Sequence, residues 1–268
     1  MRITIHKSTI ADVLSQIQGL TGRKTNLVIT ENVLLQTREN GVELTATDLE
    51  TGFEGFFPAE VEAEGAVTIN SRKFNEIVKN FPTDAIRMSE MENNWVEIAS
   101  DNVEYHIVGM DPEEFPETPK IDEVSFFSMA SPELKKMIEK TVAVGVGGDE
   151  KRAHLIGVNL ERIEQGNDNL LRMVSTDIRR LAKADYLCDP DSGFAPGPTV
   201  IVPKKGLNEL NRFLPAEGRV QVGIKDNYLI VKKENETISV KLLNGMFPAY
   251  EELLAPDPAY DIIFDRNL

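Results

Sequence analysis

Thiol and imidazole groups are scarce in this chain of 268 residues, which holds one cysteine, Cys188, and three histidines. A lone cysteine excludes an internal disulfide and suits a reducing compartment. His6, His106 and His154 show no ligand spacing, and none lies in a nucleophile motif with serine or cysteine. No catalytic residue, metal or cofactor is expected. Gly145-Val146-Gly147-Gly148 lacks the Lys-Ser/Thr that completes a phosphate loop. Aromatic residues make up 7% of the chain, and Trp95 and Phe127 read as core rather than as stacking platforms. No apolar run approaches the ~20 residues of a membrane span. The N-terminus alternates Met1, Ile3 and Ile5 with Arg2, Thr4 and His6, a strand pattern rather than the apolar stretch of a secretory leader. These absences give a soluble cytoplasmic protein with no membrane partner as the expectation.

What is present is repetition. Thr45-Ala46-Thr47-Asp48-Leu49-Glu50 returns as Val174-Ser175-Thr176-Asp177-Ile178-Arg179, 129 positions later. The helix with Phe74, Ile77, Val78 and Phe81, stopped by Pro82, returns with Leu207, Leu210 and Leu214, stopped by Pro215. Glu114-Phe115-Pro116 returns as Met246-Phe247-Pro248. A near-constant offset predicts two duplicated domains, 1–122 and 123–255, with 256–268 starting a truncated third copy. Tyr260-Asp261-Ile262-Ile263-Phe264 resembles the opening strands of both copies. Helices are expected over 7–24, 71–82, 131–142 and 204–215 from apolar residues at one-face spacing, with Ser8 or Thr9 and Ser131 as caps. Alternating segments around Asn40-Gly41, Ser100-Asp101-Asn102 and Lys233-Glu234-Asn235 predict antiparallel hairpins. The fold class is α+β, with two helices packed on antiparallel sheets in each copy.

The net charge of −15 looks unfavourable for nucleic acid, but its distribution matters more than its sum. The four helical windows hold twelve basic and five acidic residues, so the rest of the chain is still more acidic than the total. The helices are thus basic and the strands and loops acidic, a segregation that the total charge conceals. Lysines on amphipathic helices can equally be a solvated face.

Read in order, Thr47-Asp48-Leu49-Glu50, Arg72-Lys73-Phe74, Gly109-Met110-Asp111-Pro112-Glu113-Glu114-Phe115-Pro116, Asp149-Glu150-Lys151-Arg152-Ala153-His154-Leu155-Ile156-Gly157-Val158, Val202-Pro203-Lys204-Lys205-Gly206-Leu207 and Asn244-Gly245-Met246-Phe247-Pro248-Ala249-Tyr250 resemble the bacterial sliding clamp family, the beta subunit of DNA polymerase III. The resemblance implies a ring of six similar domains, sheets outside and helices lining a hole for duplex DNA. Family subunits carry three domains and close as head-to-tail dimers. It implies a DNA-facing set of Arg23, Lys24, Lys73, Lys79, Lys136, Lys140, Arg152, Lys204 and Arg212. It implies a groove for partner peptides at Leu155, Thr176, Arg180, Leu181, Pro248 and Leu253, and a ring interface at the strand carrying Tyr105 and Ile107. In this groove Ile178 and Arg179 replace a usual Gly-His, Glu252 stands where a basic residue is common, and Ile156 replaces a common asparagine. The implied partners are duplex DNA, the polymerase III catalytic subunit, an ATP-driven clamp loader and other replication and repair proteins. Self-association into a ring is implied if a third domain is present.

Two other readings remain. One is a clamp-like interaction module that binds partners without encircling DNA. The other is a metal-dependent hydrolase using Asp177, although Asp48 and Asp177 read more simply as aspartates satisfying turn amides.

Overall fold

The computed structural model describes residues 1–21, 27–119, 124–144, 157–165, 168–189 and 199–254. Arg23, Lys24, Arg152, Leu155, Ile156, the Gly145–Gly148 run and the third-copy segment 256–268 lie outside them, as do the side chains of Glu252 and Leu253.

The first unit runs β1 (Arg2–His6), α1 (Lys7–Gln16), α2 (Gln18–Thr21), β2 (Asn32–Arg38), β3 (Gly41–Thr47), β4 (Thr51–Pro58), β5 (Glu60–Ala63), β6 (Ala66–Asn70), α3 (Ser71–Asn80), β7 (Ala85–Glu90), β8 (Trp95–Ala99) and β9 (Glu104–Val108). The second repeats this with β10 (Phe126–Ala130), α4 (Ser131–Val142), β11 (Gly157–Gln165), β12 (Asp168–Thr176), β13 (Leu181–Leu187), β14 (Val200–Pro203), α5 (Lys204–Phe213), β15 (Arg219–Lys225), β16 (Tyr228–Lys233) and β17 (Glu236–Lys241). All strand pairs are antiparallel. The α+β fold expected from the sequence is the fold observed.

The helical windows hold, with corrections at their ends. The first breaks at Ile17 into α1 and a short α2, and α1 begins at Lys7, one residue before the proposed caps. Ser131 is the first residue of α4 rather than its cap, and its hydroxyl donates to the Pro215 carbonyl at 2.7 Å. That bond ties α4 to the end of α5. In α3 a true cap is present, as the Asn70 side chain accepts from the Lys73 amide. Ile10, Val13 and Leu14 of α1, Phe74 and Val78 of α3, Leu134, Met137 and Ile138 of α4, and Leu207, Leu210 and Phe213 of α5 are buried in one core. Burying such side chains contributes about 1.5–3 kcal/mol each.

Three sheets carry the strands, in orders β5-β1-β7-β8-β9, β10-β15-β16-β17-β4-β3-β2-β6 and β13-β12-β11-β14. The middle one crosses between the copies: β17 pairs with β4, placing Thr237 opposite Glu54 and Ile238 opposite Phe53. Phe53 meets Phe213 edge to face at 6.2 Å between ring centres. Lys205 Nζ lies 2.7 Å from Asp48 Oδ2 and 3.0 Å from Glu50 Oε2. The repeat in the sequence predicts two duplicated domains but not this continuous sheet. Period-two alternation gives a strand its faces but does not name its neighbour.

Trp95 departs from expectation. It stands at the first position of β8, 41% exposed, opposite Val108, which is 53% exposed. The other large side chains of β8, Val96 and Ile98, are buried, so the sheet covers its middle and leaves Trp95 at the rim.

Candidate nucleic-acid interface

Lys73, Lys79, Lys136, Lys140, Lys204 and Arg212, the six described residues of the proposed DNA set, lie on helices whose apolar faces are fixed by the core, which leaves most of their charged side chains outward. On α3, burial of Phe74, Asn75 and Val78 leaves Lys73 and Lys79 exposed. On α4, burial of Leu134, Met137, Ile138 and Thr141 leaves Lys136 and Lys140 exposed. Lys79, Lys140 and Arg212 each occupy the last turn of their helix, where the carbonyl end of the dipole favours a cation. Lys136 pairs with Glu133 at 3.6 Å, and Arg212 holds the buried Glu209 at 2.9 Å. Arg212 is therefore partly committed within the fold. Lys204 is half-buried, and that burial, with Arg180 nearby, holds its ammonium below the ordinary lysine range. Lys205, next in sequence and absent from the expected set, is engaged at the seam between the copies.

The proposed peptide-groove residues are only partly brought together. Thr176, Arg180 and Leu181 belong to one tight turn between β12 and β13. The Thr176 hydroxyl donates to the Arg180 carbonyl at 2.8 Å and accepts from the Ile178 amide at 3.0 Å. Asp177 Oδ1 accepts from the amides of Arg179 and Arg180 at 3.0 and 2.7 Å, and its Oδ2 receives the Arg180 guanidinium at 2.9 Å. Those amides and the guanidinium hold the Asp177 carboxyl below its usual range. Pro248 lies on a segment anchored twice to the same sheet: Leu243 donates to the Ile201 carbonyl of β14, and the Tyr250 hydroxyl donates to Glu161 of β11. Burial, then the nearby Glu251, raises the Glu161 carboxyl. Ile178 and Met246, 63% and 89% exposed, add apolar surface on these two segments.

The same turn appears in the first copy. Asp48 Oδ1 accepts from the Glu50 and Thr51 amides at 3.0 and 2.7 Å. Both aspartates thus satisfy turn amides, and Asp48 gives its second oxygen to Lys205. The carboxylate pair imagined for a hydrolase is taken up by structural bonds. Leu49 and Ile178 occupy matching positions in these turns with φ of 72° and 74°, a conformation that glycine adopts without cost.

Tyr105 and Ile107 sit on β9 at the edge of the five-stranded sheet. Ile107 is buried and Tyr105 is 37% exposed. Glu97, Glu104 and His106 share one face of β8 and β9, and His106 Nε2 lies 2.9 Å from Glu104 and 3.7 Å from Glu97. Sequence spacing missed this cluster because it forms across strands; Glu104 and His106 are exposed and Glu97 is half-buried.

Comparison with known proteins settles the family. Residues 1–119 match the DNA polymerase III beta subunit N-terminal domain, and residues 128–249 match the central domain of that subunit. The chain belongs to the DNA polymerase III beta subunit family. It is 30% identical over 256 residues to the beta sliding clamp of Vibrio cholerae, covering 95% of this chain and 68% of that one. It is 28% identical over 279 residues to the beta sliding clamp of Bacillus subtilis, covering 100% and 71%. Among solved structures, the Bacillus subtilis DNA polymerase sliding clamp superposes with a TM-score of 0.88 at 26% identity, covering 96% of this chain and 68% of that chain. The Pseudomonas aeruginosa DNA polymerase III subunit beta gives 0.86 at 29%, with the same coverage. Sliding clamps are non-catalytic subunits, and this member presents two clamp domains in series.

Proposed function

We propose that the chain acts as a sliding clamp, a processivity factor that surrounds duplex DNA and tethers the replicative polymerase to it. The observation that carries this reading is the charge segregation on a duplicated scaffold, where the helices of both copies turn lysines outward while the chain as a whole carries −15. Such a surface holds phosphates weakly and without sequence preference, which suits a protein that must move along its ligand. Retention comes from topology, so no single contact needs to be strong. The DNA-facing set is Arg23, Lys24, Lys73, Lys79, Lys136, Lys140, Arg152 and Lys204, with Arg212 contributing less because Glu209 holds it.

Partner enzymes dock by short apolar peptides at Leu155, Thr176, Arg180, Leu181, Pro248 and Leu253. The polymerase catalytic subunit, an ATP-driven clamp loader and other replication and repair proteins are the expected users, in the cytoplasm. The exposed Ile178 and Met246 favour apolar anchors there.

The test is binding of a labelled duplex, followed by fluorescence anisotropy against salt concentration. Reversing Lys79, Lys136 and Lys140 to glutamate should weaken binding at least tenfold at low salt. It should also flatten the slope of log K against log[salt] by about 2–3. An unchanged slope would overturn the assignment of these helix faces to DNA.

A further inference from the structure

The outward face of β8 and β9 brings three metal-binding side chains to one point. Glu97 of β8 stands directly opposite His106 of β9, and Glu104 stands two residues from His106 on the same face of its strand. Their ligand atoms, one imidazole nitrogen and two carboxylate oxygens, all lie within 4.8 Å of one another. His106 Nε2 is 2.9 Å from Glu104 Oε1 and 3.7 Å from Glu97 Oε2. Among the described residues neither carboxylate is paired with a lysine or an arginine. Arg87, on the same face of β7, is turned instead to Asp101 at 3.9 Å. Two carboxylates against one imidazole leave the cluster negative whether or not the ring is protonated.

We propose that Glu97, Glu104 and His106 form a surface site for a divalent transition-metal ion, with zinc as the best-suited occupant. Donors about 2.1 Å from a shared zinc ion stand roughly 3.0–3.4 Å apart, depending on coordination number. The observed spacings bracket that range, and a small swing of the Glu97 side chain closes the difference. An imidazole nitrogen favours zinc, nickel or copper over calcium and magnesium, which take oxygen donors. Three donors from one face of a sheet leave the remaining coordination positions to water. An open groove lined by Met91, Glu92, Trp95 and His106 gives the ion its way in. The site lies opposite the buried face of Val96, Ile98 and Ile107, so loading it repacks no core side chain. Its effect is mechanical: an ion that holds β8 to β9 in the folded chain, and not in the unfolded one, stabilises that hairpin. The inference does not depend on the reading as a clamp.

The chain carries its own reporter. Trp95 is its single tryptophan, stands two residues from Glu97 on the same face of β8, and lines the same groove as His106. The experiment strips the tag-free 268-residue chain of metal with a chelator and titrates it with nickel(II), an open-shell ion that quenches a nearby indole. Saturable quenching at one ion per chain is expected, reversed by zinc and not by calcium or magnesium. His106→Gln, Glu97→Gln and Glu104→Gln should each weaken nickel binding by about tenfold or more. His6→Gln, at an imidazole paired with Asp84, should change nothing. Zinc should also raise the melting temperature of the parent chain and leave that of His106→Gln unmoved, and melts without metal check that each variant folds. An absence of saturable quenching would overturn the proposal, as would displacement by calcium as effective as by zinc. So would quenching that His106→Gln leaves unchanged. Quenching lost in His106→Gln but kept in both glutamate variants would overturn it too, since a lone surface imidazole would then account for the binding.

Discussion

At the scale of single residues, the two Thr-Asp turns show how a short motif serves packing first. Each threonine hydroxyl donates to a carbonyl across the turn, and one oxygen of each aspartate accepts from two of the turn's amides, which makes the turn rigid enough to present whatever follows it. The strain falls on Ile178, a β-branched side chain at φ 74°. Left-handed backbone costs such a residue roughly 1–2 kcal/mol, and at 63% exposure little burial is lost by removing it. Ile178→Gly should therefore raise stability by about 0.5–1 kcal/mol, once the greater freedom of glycine in the unfolded chain is set against the relief. Urea denaturation measures it, and a destabilised variant would show that Ile178 packs more than its exposure suggests. The sequence displayed the departure from glycine but not its cost, because φ is decided by the turn rather than by residue 178.

At the scale of elements, most of the architecture was legible. Helical periodicity located all four main helices, and the hairpins at Asn40-Gly41 and Glu234 lie where turn chemistry puts them. Helix starts were misplaced by a residue because serine and threonine near a helix end can bond elsewhere, as Ser131 does to Pro215. Cross-strand pairs were not legible at all. Arg172 on β12 and Asp185 on β13 are thirteen residues apart, yet they face each other in register and form a two-pronged bond at 2.6 and 2.9 Å. The Arg172 guanidinium, with Lys183 adding to it, holds the Asp185 carboxyl below its ordinary range. A depressed carboxyl stabilises the fold above the unfolded aspartate pKa of about 3.9 and loses that contribution as pH falls through the folded value. Arg172→Met should cost about 1 kcal/mol at pH 7. The difference from the parent chain should shrink toward zero below about pH 3 in acid-dependent thermal melts. A deficit unchanged down to that pH would mean that Arg172 acts through packing alone.

At the scale of the whole molecule, repetition was the most readable property and the joint between repeats the least. Offsets in the sequence reveal that two units exist; they do not reveal that β4 of one is completed by β17 of the other. That joint includes the buried Phe53, the pairing of Lys205 with Asp48, and Ser239 set against Gly52. Its consequence is cooperativity. A boundary drawn in the sequence near residue 122 is not a line along which the protein comes apart, because four strands from each side melt as parts of one sheet. Calorimetry of the chain should show a single endotherm with van't Hoff and calorimetric enthalpies in agreement, rather than two steps for two domains. Residues 1–119 produced alone would keep their own helices but offer β4, with Phe53 laid bare, as a naked strand edge. The cut that looks cleanest on paper makes the stickiest fragment.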